Sequence, residues 1–143
     1  MSAVYDYSQF PIVNVTINNN PVNDIIFEKF KNDWLECFKY DKPWIFIFNT
    51  LNVGTVPVKY ILKIATFVKK IKNNPQNKLE RSIIITTNKN VNLLLRMVFN
   101  ITAPSAPLHI LQNNEPEYID SILHKLQNNE QLPKNIKTYM PIN

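Results

Sequence analysis

The stretch Trp44-Ile45-Phe46-Ile47-Phe48-Asn49-Thr50 decides the fold. Its apolar residues run without a break and are too few for a buried helix. Such a run reads as a strand covered on both faces, which is the habit of parallel sheets. Pro43 marks its start. Before it, Pro11 to Ile17 alternates (Ile12, Val13, Val15, Ile17) and reads as another strand. Asn18-Asn19-Asn20-Pro21 turns the chain, and Asn23 or Asp24 can cap a helix carrying Ile26, Phe27, Phe30, Trp34, Cys37 and Phe38.

After the central run, Leu51 to Thr55 forms a loop with the sole glycine, Gly54. Pro57 opens a second helix, where its missing N–H is harmless; Ile61, Ile64, Phe67, Val68 and Ile71 form the buried stripe. Asn73-Asn74-Pro75 ends it, and Ile83-Ile84-Ile85 is the next buried strand. Thr86-Thr87-Asn88 leads into a third helix with Val91, Leu94, Leu95 and Val98 inside. Ala106 to Leu111 makes a short strand, and Glu115-Pro116 starts a last helix with Ile119, Ile122, Leu123 and Leu126 on one face. The expectation is an α/β domain: a mostly parallel sheet of four to five strands with about four covering helices. It spans residues 11–127, with an N-terminal arm at 1–10 and a loose tail at 128–143.

The length of 143 residues suits one domain, and 45% hydrophobic residues supply a core. Cys37 stands alone, which excludes an internal disulfide and a cysteine-based zinc site. The N-terminus lacks the basic and apolar regions of a signal peptide, and no apolar run approaches the roughly 20 residues of a membrane span. The expected compartment is the cytoplasm. The sequons at Asn14 and Asn100 are therefore read as chance. There are 21 Asn, and 14 of the 16 basic residues are Lys. That is the composition of an AT-rich genome, such as a large DNA virus or an AT-rich protist. For a viral chain the compartment would be host cytoplasm or virion.

From Trp44 to about Leu126 the chain resembles a STAS domain, the fold of bacterial anti-sigma-factor antagonists. The resemblance lies in WIFIFNT, KYILKIATFVKKIK, SIIITTN, VNLLLRMVF and PLHIL, in that order. It implies a STAS-like fold and a role in protein–protein contact. It also implies a loop after the strand, here holding Thr50, Gly54 and Thr55, whose serine or threonine is open to phosphorylation. Asn49 stands where the family carries Asp, and the serine-bearing loop motif is altered. The same order of elements resembles a CRAL-TRIO core, which implies a lipid or small-ligand carrier.

Catalytic constellations are missing. One glycine excludes a phosphate-cradling P-loop and a dinucleotide fingerprint. Cys37 sits among apolar residues, and His109 and His124 are not at ligand spacing. Glu115, Glu117 and Asp120 cluster at a helix N-terminus, whose dipole accounts for them. No cofactor and no metal site is expected, and the chain reads as a non-enzyme.

Charge is uneven. Lys59 to Arg96 holds nine basic residues against one carboxylate, Glu80. Lys59, Lys63 and Lys70 share a face of the second helix, and Lys89 and Arg96 share one on the third. This surface is a candidate site for an acidic protein partner. Nucleic acid fits less well, because only two arginines are present and no aromatic-interleaved basic motif occurs. Tyr5, Tyr7 and Phe10 either seal the sheet edge or contact another subunit in a homo-oligomer. The leading reading is a non-enzymatic interaction module, possible self-association included. The second is the ligand carrier, and the third a viral structural or virion-associated component.

Overall fold

The structure is a computed structural model that describes residues 1–141. The elements run β1 (Ser2–Asp6), β2 (Ile12–Asn18), α1 (Asp24–Glu36), a 3-10 turn (Cys37–Tyr40), β3 (Trp44–Asn49), α2 (Val58–Ile71), β4 (Leu79–Ile85), α3 (Lys89–Ile101), β5 (Leu108–Leu111), α4 (Pro116–Gln127) and β6 (Lys137–Tyr139). One sheet takes the strands in chain order, β1-β2-β3-β4-β5-β6. Strands β2 to β5 are parallel, and β1 and β6 join the two edges antiparallel.

The sheet thus has six strands, not four or five. Both additions fall outside the stretch 11–127. The arm contributes β1, whose five residues pair with β2 from Ser2↔Asn18 to Asp6↔Asn14. The tail contributes β6, whose three residues lie against β5 from Ile110↔Lys137 to Leu108↔Tyr139. Strands this short carry little periodic signal. Their extended state comes from the ladder they join.

Helix starts follow the local chemistry. The Ile26 N–H donates to Asn23 Oδ1 (2.8 Å) at the head of α1, and the Val91 N–H donates to Asn88 Oδ1 (2.9 Å) at the head of α3. Pro57 precedes α2, and Pro116 sits in the first turn of α4.

Three consecutive β-to-β crossovers step the same way along the sheet. Crossovers of one hand must then leave their helices on one face. Accordingly α1, α2 and α3 pack against Val13, Val15, Trp44, Phe46, Phe48, Ile84, Leu108 and Ile110. Helix α4 alone covers the opposite face, where Ile47, Ile83, Ile85 and Leu111 meet Ile122 and Leu126. The alternation along β3 explains its unbroken apolar sequence: even positions face three helices and Ile47 faces the fourth.

Phe46, with no exposed surface, is the aromatic centre of the first face. Its ring lies edge-on to Trp34 (4.8 Å between centroids), Trp44 (5.7 Å) and Tyr5 (6.2 Å). Replacing it by alanine should cost about 3–5 kcal/mol, since these neighbours cannot all collapse into the void. Urea denaturation of Phe46→Ala against the parent measures this.

Candidate functional site

The loop after β3 stands at the carboxyl edge of the parallel strands, where open α/β sheets bind ligands. Thr50 is only 5% exposed. Its N–H (3.0 Å) and its hydroxyl (2.8 Å) both donate to the Ile85 carbonyl. Asn88 locks the loop from the other side. Its Nδ2 donates to the carbonyls of Thr50 (3.3 Å) and Val53 (3.2 Å) while its Oδ1 caps α3. Gly54 is dictated by close approach, because a Cβ there would fall on Asn19 Oδ1. Thr55 is exposed. Of the three loop residues singled out by sequence, Thr50 is thus structural, Gly54 steric, and Thr55 alone presents its hydroxyl to solvent.

The five basic residues divide into two groups. Lys59 and Lys63 converge on Asp24 at the start of α1, with Nζ to Oδ1 distances of 3.8 and 3.2 Å. Tyr60 donates to the same oxygen (2.7 Å), and both lysines lie over its ring. The Tyr60 hydrogen bond, followed by that from Lys63, holds the Asp24 carboxyl below its ordinary range. Lys70, Lys89 and Arg96 have no ion pair among the described residues. The same is true of Lys69 and Lys72. Lys70 borders a groove of about 670 Å³ between α1 and α2, floored by Leu35 and Phe67. Arg96 borders another of about 570 Å³ between α3 and β6, beside Leu93 and Tyr139. Leu62 and Leu93 are among the exposed large apolar residues, on α2 and α3.

Tyr5, Tyr7 and Phe10 are engaged within the chain. The Tyr5 hydroxyl donates to the Phe30 carbonyl (3.1 Å) and the Tyr7 hydroxyl to the Asp33 carbonyl (2.5 Å). Phe10 stacks on Tyr40 with centroids 4.0 Å apart. Burial, then neighbouring ionisable groups, raise both phenols above their ordinary range, so they stay donors. Tyr5 and Tyr7 tie the N-terminal arm to α1, and Phe10 ties it to the 3-10 turn that follows.

Between the sheet and the three helices lies a cavity of about 110 Å³ with almost entirely apolar walls. Trp34, Phe48, Val91, Leu94, Leu95 and Val98 line it, and Thr50 and Ser82 carry its hydroxyls. The indole Nε1 of Trp34 is buried without a hydrogen-bond partner. No sequence signal announces the cavity, since its walls read as ordinary core positions.

Reactive groups are quiet. Burial pushes the Cys37 thiol up to about 12, which removes the thiolate a nucleophile needs. No group of three or more His, Cys, Asp or Glu that could hold a metal is found among the described residues. No helix among them is long and apolar enough to cross a membrane. His109 is buried on the α4 face, 3% exposed. Its Nε2 lies 3.1 Å from Arg81 Nη1 and its Nδ1 2.8 Å from Thr138 Oγ1. Arginine can only donate, so Nε2 accepts and the Nδ1–H donates to Thr138, tying β6 to β5 and β4. Burial first, then the Arg81 charge, lowers His109 to about 4.

A scan of family models, a search of curated proteins and a search of solved structures each return no match for this chain.

Two outcomes follow from these contacts. The unfolded chain takes up the His109 proton near pH 6.5, the folded chain only near pH 4. Stability contributed by neutral His109 is complete above about pH 6.5 and drains as pH falls towards 4, by up to about 3 kcal/mol. Chemical denaturation across that window should show this slope, and His109→Gln should flatten it. Asn88→Ala removes a cap and two loop bonds together, at a cost of about 1–2 kcal/mol, readable as a lowered urea midpoint.

Proposed function

We propose that this chain is a non-enzymatic interaction module whose helix layer receives an acidic protein partner. One observation carries the reading: α2 and α3 contain no carboxylate, and their basic residues beyond Lys59 and Lys63 lack intramolecular neutralisation among the described residues. Lys70 and Arg96 stand beside grooves, and Lys89 shares α3 with Arg96, so charge can steer a partner while the exposed Leu62 and Leu93 supply apolar contact. The STAS-like pattern of the sequence supports the same role. The inert thiol of Cys37 fits a reducing compartment, in keeping with a cytoplasmic location. Self-association draws less support, because Tyr5, Tyr7 and Phe10 are spent inside the chain. The carrier reading in its lipid form also draws less. The cavity of about 110 Å³ is well below the roughly 300–1,000 Å³ of usual ligand pockets.

A fluorescent glutamate-rich peptide serves as the defined probe, with anisotropy as the readout. Binding should weaken as salt rises. The triple variant Lys70→Gln, Lys89→Gln, Arg96→Gln should weaken it by about tenfold, whereas Lys59→Gln, already neutralised by Asp24, should change it by no more than about twofold. Equal losses from both variants would reject the assigned surface. Tighter binding of duplex DNA than of the peptide would reject the assigned partner class.

A further inference from the structure

We propose that the cavity under the helix layer is a binding site for a compact apolar molecule of one aromatic ring, no larger than benzene. Native interiors hold few voids larger than a water molecule. This one reaches about 110 Å³. An engineered cavity of about 150 Å³ in another protein stays dry and takes benzene. Water is a poor occupant here, because a buried water needs two to four polar partners. The polar side chains of the lining are Thr50, whose hydroxyl is already engaged with Ile85, Ser82, and Trp34, whose Nε1 is unpartnered, so a water would find at most the last two, the lower limit for one. The walls instead offer what a small ring requires: the aromatic surfaces of Trp34 and Phe48 on one side and the branched chains of Val91, Leu95 and Val98 on the other.

The site has a route to solvent. A mixed polar and apolar cleft of about 290 Å³ at the carboxyl edge, between Asn19, Gly54 and Thr55, shares Met1 and Val53 with the cavity. These two residues line both spaces, and neither lies in a strand. The walls also span β3, β4 and all three helices of this layer, so an occupant would brace every element that carries the basic surface. This inference concerns a second site and does not rest on the acidic-partner reading.

The test uses the full chain with benzene as the probe, thermal melting and tryptophan fluorescence as readouts, and two variants. With a millimolar dissociation constant, ligand at about ten times that level should raise the melting temperature by roughly 5 °C in a saturable way. Leu94→Phe and Val98→Leu, which place carbon in the void, should each abolish that rise. Benzene should change the emission of the parent strongly and that of the Trp34→Phe chain, left with Trp44, weakly. The proposal is overturned if benzene does not raise the melting temperature up to its solubility. It is equally overturned if a folded filling variant keeps the full rise. Should neither filling variant fold, equal emission changes in the parent and Trp34→Phe chains would overturn it.

Discussion

Strand β3 is paired on both edges and buried on both faces, and the rest of the molecule answers to that constraint. A strand from Trp44 to Asn49 with no polar side chain before its end needs a hydrogen-bonded neighbour on each side and apolar cover above and below. Strands β2 and β4 supply the first, and the crossovers that connect them supply the cover. Because each crossover steps in the same direction, α1 to α3 must share one face. The opposite face is left for α4 and for Leu132 and Ile136, which pack against it as the chain returns.

This asymmetry shapes the candidate sites. Three helices laid over large aromatic residues produce the apolar side, where Trp34, Phe46, Phe48 and Phe67 meet at mutually tilted angles. Beside Trp34 and Phe48 the packing leaves an apolar void beneath α3. The outer surfaces of the same helices hold the lysines. The thin α4 side instead carries a polar tie, Arg81 to His109 to Thr138, that secures the last strand.

The carboxyl edge is held by side chains bonded within the chain. Thr50, Asn88 and Gly54 each have a structural duty: a bond to Ile85, a cap with two loop bonds, and room for Asn19. Side chains so occupied make a rigid edge rather than a reactive one. The Cys37 thiol, in the turn after α1, is held protonated by burial.

Periodicity and punctuation alone determined the four inner strands, all four helices and the parallel class of the sheet. Apolar runs, proline breaks and asparagine caps act over a few residues and leave their mark locally. Tertiary structure decided what depends on partners distant in sequence. Ser2–Asp6 and Lys137–Tyr139 became strands because β2 and β5 offered open edges. Lys59 and Lys63 pair with Asp24, thirty-odd positions away, while Lys70, Lys89 and Arg96 have no ion pair among the described residues. The basic cluster was legible as composition. Its division into neutralised and unpaired groups, like the cavity, arises only where side chains from separate segments meet or fail to meet in space.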